Sequence, residues 1–234
     1  MSTFSPLSAR EGYRRWAPHY AQETAISFLE ARLVEAVTPP ATGQRLLDAG
    51  CGTGRRLIAC GAAEAVGIDL SPEMLAAGVG IGASRQHPHL RTMVGDIRAL
   101  PLEDGGFDIV WCRLAIGHLP ACAGAYAELA RVAAPGATII VSDFHEAAHH
   151  AGHRRSFRDA EGVHEIEHYL HTVIDQQNAA RATGLEPVGQ HEAAIGLYAL
   201  PFYEKAGRAE LYREHEGLPV VSLLTFRKAA ACAC

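Results

Sequence analysis

Polar and apolar positions change rhythm several times along the chain. From Arg10 to Val37 apolar residues recur near helical spacing, with Leu29, Leu33 and Val37 on one stripe. Pro18 interrupts that pattern and Pro39-Pro40 stops it, because proline lacks an amide N–H and clashes with the preceding turn. One or two N-terminal helices are predicted here. Short apolar runs follow at 44–50, 65–71, 90–97, 107–119 and 137–145 and read as strands. They are apolar on both faces, as in a parallel sheet covered by helices on both sides. Between them, "RRLIACGAA" reads as a short helix closed near Gly61. Ser71-Pro72-Glu73-Met74 opens another, with Ser71 as N-cap and proline at the first helical position. "CAGAYAELARVA" (122–133) gives a third, ended by Pro135-Gly136. Strand and helix alternating at short spacing predict an α/β, doubly wound sheet.

The remainder departs from this rhythm. Residues 146–171 are polar, rich in histidine and read as an irregular cap. Thr172 then offers an N-cap, with the acidic Asp175 three residues on, a helix to Thr183 and Gly184 as its stop. "LEPVGQHEA" and "PVVSLLTFRK" (219–228) read as two closing strands. No internal repeat or second domain boundary interrupts the 234 residues, a length that suits one domain.

Hydrophobic content of 48% with 20% charged residues is that of an ordinary globular protein. No apolar stretch approaches the roughly 20 residues of a membrane span. The start "MSTFSPLSAREGYRRW" carries no charged-then-apolar leader, so a cytoplasmic protein is expected. The net charge of −5 argues against nucleic acid and against an anionic membrane surface as partners. Six cysteines form no CxxC pair, which leaves no zinc site in prospect and buried free thiols at Cys51, Cys60 and Cys112. The terminal "ACAC" is assigned nothing.

One stretch raises a chemical question. In "LLDAGCGTGRRL" (46–57) three glycines fall within five positions, behind an apolar strand that ends at Asp48. A glycine-rich turn between a strand and a helix start makes a ligand site at the carboxyl edge of a sheet. The dinucleotide pattern G-x-G-x-x-G fails, because its third glycine falls on Arg55 or Leu57. The phosphate-binding loop fails too, since no Lys-Ser or Lys-Thr follows.

What stands there, Asp48-x-Gly50-x-Gly52-x-Gly54, resembles the first motif of the class I S-adenosylmethionine-dependent methyltransferases. "VGIDLSPEML" is similar to their second motif and "GDIRALPLEDGGFDIVWC" to their third. "LAIGHL" and "RVAAPGATIIVSDF" resemble the segments after strand four and before strand five, so the likeness covers about residues 10–145. The resemblance implies a mostly parallel, seven-stranded Rossmann-like sheet with helices on both faces and the last strand antiparallel. It implies S-adenosyl-L-methionine as cofactor, with S-adenosyl-L-homocysteine as product. On this reading Gly50, Gly52 and Gly54 lack bulk because the cofactor passes close over them. Asp48 holds its ammonium and Asp69 accepts from the ribose hydroxyls. Asp96 accepts from the adenine amino group beside the Ile97 amide. Leu70 and Met74 pack on the adenine, and Arg113 offers backbone contacts to the methionyl portion. "YRRWAPHYA" is similar to the family's N-terminal lid, in which a tyrosine, here Tyr20, closes over the cofactor. Tyr13, Trp16 and Tyr20 as plain core packing is the other reading. The expected organisation is one methyltransferase domain over 1–234, with 1–40 as helical lid and 146–171 as substrate cap.

Methyl transfer needs positioning, exclusion of water and, for a weak nucleophile, a base. Eight of the 13 histidines fall between 118 and 171, and histidine titrates near neutral pH. His145, with Asp143 as orienter or second base, is the preferred catalytic pair; a hydrogen-bonded strand end is the competing account. His118 reads first as a structural histidine bonded to a carbonyl and second as a catalytic one. The family often has two consecutive histidines here, and Gly117 stands in place of the first. His164, His168 and His171 have helical spacing, but the Thr172 cap begins the helix after them, so no metal is expected.

The activity expected is methylation of a small molecule at carbon, oxygen or nitrogen, by a monomer or homodimer. The layout resembles methyltransferases of quinone synthesis and secondary metabolism. A protein or nucleic-acid methyltransferase is one alternative, although "WCRLAIGHLP" lacks the Asn/Asp-Pro-Pro-Tyr/Phe segment of amino-methylating nucleic-acid enzymes. A non-catalytic cofactor-binding module is the other.

Overall fold

The computed structural model describes residues 5–20, 22–80 and 87–230. Cys232 and Cys234 of the terminal "ACAC" lie outside them. The strands are β1 (Arg45–Ala49), β2 (Glu64–Asp69), β3 (Leu90–Val94), β4 (Phe107–Arg113), β5 (Ala133–Phe144), β6 (Ser156–Asp159), β7 (Gly162–Glu165), β8 (Leu185–Ala194) and β9 (Pro219–Lys228). The helices are α1 (Ala9–Trp16), α2 (Ala25–Val37), α3 (Pro72–Gly80), α4 (Ala123–Val132), α5 (Glu146–His150), α6 (Val173–Ala182), α7 (Leu200–Lys205) and α8 (Ala209–His215). Seven strands form one sheet in the order β3-β2-β1-β4-β5-β9-β8, while β6 and β7 pair as a separate hairpin. Strands β1 to β5 run parallel to one another, and β9 runs antiparallel to both β5 and β8. This is the doubly wound, Rossmann-like sheet the sequence implies.

Unbroken apolar runs are explained by cores on both faces of the sheet. In β1, Leu47 joins a cluster with Tyr126 and Leu129 of α4, whereas Leu46 joins one with Val34 of α2. In β4 and β5, Val110, Cys112, Ile139 and Val141 face the first cluster, and Ile109, Trp111 and Ile140 the second. Helix ends follow the caps. Ser71 Oγ accepts from the Met74 N–H ahead of α3, and Thr172 with Asp175 forms a capping box at α6. Gly184, at φ +80°, ends α6 in the left-handed conformation glycine tolerates.

Four local expectations differ from the structure. Residues 55–63 form only a 3-10 turn at Arg55–Leu57. Gly54 and Gly61 are both left-handed, and Ala63 N–H already bonds Gln44 O at 2.9 Å, so little chain is left for a helix. Pro135 and Gly136 do not precede β5 but lie inside it, where the pairing with β4 shifts register. The 146–171 segment is not irregular throughout: it carries α5 and the β6–β7 hairpin. The short helices α7 and α8 between β8 and β9 were not anticipated.

The hairpin docks on the N-terminus. Leu7 N–H donates to Glu165 O, and Glu167 N–H donates to Leu7 O, both at 2.8 Å. Trp16 stacks on Phe157 with centroids 5.4 Å apart, and Ile166 fills the space above Gly12.

Helix α3 sits against the glycine turn through Gly78, where an added Cβ would meet Thr53 O at 2.1 Å. Gly78→Ala is expected to lower stability by about 1–3 kcal/mol through overpacking. Gly124→Ala, in α4 with open space around it, is expected to raise stability by about 0.5 kcal/mol. Denaturant melts of the two variants check both signs; equal behaviour would contradict the packing account.

Candidate active site

The turn after β1 is shaped by left-handed backbone. Gly50, Gly52 and Gly54 have φ of +90°, +59° and +71°, which side chains disfavour. The protein's own atoms also crowd them. A Cβ on Gly50 would lie 2.6 Å from the Ala115 Cβ, and one on Gly52 would lie 3.2 Å from Met74 Cε. Gly50 N–H and Cys51 N–H both donate to Ile68 O, at 2.7 and 2.9 Å. Asp69 completes the tether: Oδ2 accepts from Gly52 N–H at 2.7 Å and Oδ1 from Ser71 N–H at 2.9 Å.

Beside this turn, at the carboxyl edge of the sheet, lies a cavity of about 210 Å³. It is walled by the ends of β1, β2 and β4 and roofed by residues of α1 and α2. Tyr20, Asp48, Gly50, Gly52, Asp69, Leu70, Met74, Asp96, Ile97, Arg113 and His118 all line it. Gly54, Asp143 and His145 are not among the lining residues.

The lining carries buried charge. Asp48 is 2% exposed and its Oδ1 has no hydrogen-bond partner among the described residues. Burial pushes its pKa up to about 7, against the opposing pull of Arg113. Arg113 grips Glu30 of α2 with Nε at 2.9 Å and Nη2 at 2.6 Å. Ser142 Oγ donates to the same carboxylate at 2.8 Å. The pair is buried on both sides, so Arg113 presents its guanidinium, not only its backbone, to this region. Leu114 follows at φ +51°, the one non-glycine residue with positive φ among those described; strain of this kind is often found at ligand sites.

Asp69 and Asp96 already have partners within the protein. Both Asp69 oxygens already organise the turn, so any ribose hydroxyl must share them; burial raises the Asp69 pKa against these amide bonds. Asp96 is held bidentately by Arg98, at 3.0 and 2.6 Å, and its hydrogen bond with Arg98 lowers its pKa. Leu70 is 42% exposed at the cavity rim, whereas Met74 is buried.

The preferred base does not reach the cavity. His145 caps α5, its Nδ1 accepting from Ala147 N–H at 3.0 Å, and its Nε2 lies 3.2 Å from Glu192. β5 has ended one residue earlier, so His145 stands just beyond the strand that carries Asp143. Asp143 is buried beside His168 (3.3 Å) and Arg155 (3.5 Å). Burial alone would raise its pKa, but His168 and Arg155 together lower it. His164, His168 and His171 share no helix: His164 is in β7 and the others lie in the connection to α6. Space above Gly117 is filled by His168 Nε2, 2.3 Å from where a Cβ would stand.

His118 does line the cavity, but both nitrogens are engaged. Nδ1 lies 3.0 Å from Glu167 O. A carbonyl only accepts, so Nδ1 carries the hydrogen and Nε2 accepts from the Tyr13 hydroxyl at 2.9 Å. Burial, reinforced by the Arg155 charge, pushes its pKa down to about 3. Tyr13, Trp16 and Tyr20 pack on one another, and Tyr13 and Tyr20 wall the cavity, so the aromatic stripe is packing and lining at once.

Sequence reasoning missed Glu30, Leu114 and Arg155. Glu30 left a signal: an acidic residue beside Leu29, Leu33 and Val34 on the buried stripe of α2.

Comparison with known proteins bears on the family and the fold. A family model described as "Methyltransferase domain" matches residues 47–141. The 27-O-demethylrifamycin SV methyltransferase of Amycolatopsis mediterranei is 31% identical over 201 residues, covering 82% of this chain and 71% of that protein. The malonyl-[acyl-carrier protein] O-methyltransferase of Enterobacter lignolyticus is 35% identical over 129 residues, 54% of this chain and 49% of that protein. The chain thus spans about half the length of several curated relatives it matches. Among solved structures, an S-adenosylmethionine-dependent methyltransferase from Mesorhizobium loti superposes with TM-score 0.65 at 23% identity, covering 86% of this chain and 98% of that one. The [4+2]-cyclase SpnF superposes with TM-score 0.68 at 20% identity, covering 97% and 98%. With a relative 31% identical over 82% of this chain and 71% of its own length, and a methyltransferase family model over residues 47–141, the chain belongs to the class I S-adenosylmethionine-dependent methyltransferase family.

Proposed function

We propose that this protein methylates a small-molecule acceptor, using S-adenosylmethionine bound in the cavity beside the glycine turn. The observation that carries the reading is the buried Asp48 oxygen without a partner on the cavity wall. A buried carboxylate in that state calls for a cationic or hydrogen-donating ligand, and the cofactor's ammonium meets the need. The absence of a lysine in the turn fits a ligand without phosphates.

Bound there, S-adenosylmethionine supplies an activated methyl group on a sulfonium. Asp48 would neutralise its ammonium, and Arg113, already fixed by Glu30, carries the positive charge suited to its carboxylate. Asp69 keeps the turn in shape and shares its remaining lone pairs with the ribose. Met74 and Ile97 offer apolar surface for the adenine, with Leu70 at the rim. Tyr13 and Tyr20 close the space against water. His118, neutral and with both nitrogens committed, holds Tyr13 rather than removing a proton. The chemistry therefore favours an acceptor atom that is already nucleophilic over one that needs deprotonation.

Relatives include methyltransferases named for malonyl-[acyl-carrier protein], a rifamycin and tocopherol, which supports a small or carrier-borne acceptor. A second reading deserves a test because His118 is engaged and the fold also serves a [4+2]-cyclase: the site binds the cofactor without transferring methyl. Incubation with methyl-labelled cofactor and a metabolite extract separates them. A product heavier by one CH₂ that carries the label is expected. Cofactor binding without any labelled product would favour the second reading.

Two variants probe the binding residues. Titration with S-adenosylmethionine is expected to raise the melting temperature, NAD to leave it unchanged, and Asp69→Ala to weaken cofactor affinity by about tenfold or more, since charge-assisted bonds are worth about 1.5–3 kcal/mol. His145→Ala should bind like the wild type.

Asp48 sets a pH dependence. An ammonium stabilises the ionised carboxylate, so the empty protein, with Asp48 at about 7, must release a proton to bind. Affinity is expected to rise as pH increases from 6 to 8 (~6 and ~8 bracketing that pKa) and then level off. In Asp48→Asn this slope should vanish, as read by calorimetric titration across the range.

A further inference from the structure

Four arginines in this structure use one edge of the guanidinium, Nε with Nη2, to hold a carboxylate by two hydrogen bonds. Arg14 holds Glu11 at 2.8 and 2.7 Å, Arg98 holds Asp96 at 3.0 and 2.6 Å, and Arg113 holds Glu30 at 2.9 and 2.6 Å. Arg131 holds Glu128 at 2.7 Å through both nitrogens. Arg155 departs from this pattern. It is only 7% exposed, yet neither its Nε nor its Nη2 has a hydrogen-bond acceptor among the described residues.

Its surroundings narrow the reason. Nη1 donates to the Tyr13 hydroxyl at 3.2 Å, and the guanidinium lies 4.9 Å from the centroid of the Phe144 ring. Asp143 Oδ1 stands 3.5 Å from Nη2 without forming a hydrogen bond. That oxygen is otherwise engaged, accepting from Phe144 N–H at 2.8 Å and facing His168 Nε2 at 3.3 Å. Asp143 thus balances the charge of Arg155 but leaves its two-pronged edge unfilled. Buried guanidinium donors without acceptors are costly, and the planar fork matches a carboxylate. Tyr13 touches Arg155 on one side and walls the cavity on the other. It belongs to α1, so Arg155 stands directly behind the part of the cavity wall that α1 provides.

We propose that Arg155 is the residue that recognises the methyl acceptor, taking a carboxylate of that molecule on its Nε and Nη2 edge once Tyr13 gives way. This rests on the methyltransferase reading for the role of the molecule bound, but not for the binding itself. A guanidinium draws charge from the oxygens it holds, so the carboxylate is a handle, and the methyl group goes to another atom of the acceptor.

Fluorine NMR of para-fluorobenzoate with protein loaded with S-adenosylhomocysteine tests the proposal. The wild type is expected to broaden the para-fluorobenzoate signal and not that of its methyl ester. Arg155→Lys keeps the charge but loses the fork and should weaken binding by about tenfold; Arg155→Gln should abolish it. Asp143→Asn removes the nearby competing charge and should tighten binding, so the proposal stays testable if Arg155→Gln does not fold. Succinate and succinyl-N-acetylcysteamine as competitors distinguish a free acid from a carrier-borne one, and stronger displacement by either identifies the source. The proposal is overturned by wild-type protein that ignores para-fluorobenzoate, by equal binding of the ester, by stronger binding of para-fluorophenyl phosphate, or by a folded Arg155→Gln that binds as before. S-adenosylhomocysteine affinity, measured on the same samples, reports separately on the cofactor reading.

Discussion

The Asp69 carboxylate bonds two amides on different segments, that of Gly52 in the turn after β1 and that of Ser71 at the start of α3. Much of the site follows from this bridge. It fixes three left-handed glycines relative to the end of β2, sets α3 so that Met74 reaches the turn, and leaves Asp48 facing the enclosed space. The bonds are charge-assisted and short, the kind that hold geometry well in a dry setting. Their acceptor is a side chain at a strand end, so the turn's shape depends on the register of the parallel sheet.

Around that bridge the protein keeps several charged side chains out of water. Glu30 and Arg113 neutralise each other and hold α2 to the ends of β4 and β5 through Ser142. Asp48 and Arg155 are left with incomplete partnerships. Buried pairs contribute little net stability after desolvation, so the useful product of this arrangement is position. Fixed charges in a low-dielectric space act strongly on whatever enters it.

Much of this was readable from sequence, for identifiable reasons. The parallel sheet was legible because burial on both faces writes continuous apolar runs, and α3 and α6 because Ser71, Thr172 and Gly184 act locally. Asp48, the glycines and Asp69 could be found since their spacing reflects a turn built from neighbouring residues. What stayed hidden depends on distant contacts. Glu30 meets Arg113 across 83 residues and Arg155 meets Tyr13 across 142, and no local pattern encodes such pairings. His145 looked chemically suitable, but its nitrogen satisfies the first turn of α5, a role decided by where β5 stops. Residues 55–63 had helical composition without the length to use it.

The union of the N-terminal segment with the hairpin has a consequence for inheritance. The backbone of Leu7 is knitted to residues 165 and 167, Trp16 lies on Phe157, and Ile166 occupies the space left by Gly12. The N-terminal segment and the hairpin are therefore one body made from two stretches of chain about 150 positions apart. Neither half can diverge alone without losing its counterpart's fit. Moving this unit between relatives would accordingly require both stretches to be exchanged together.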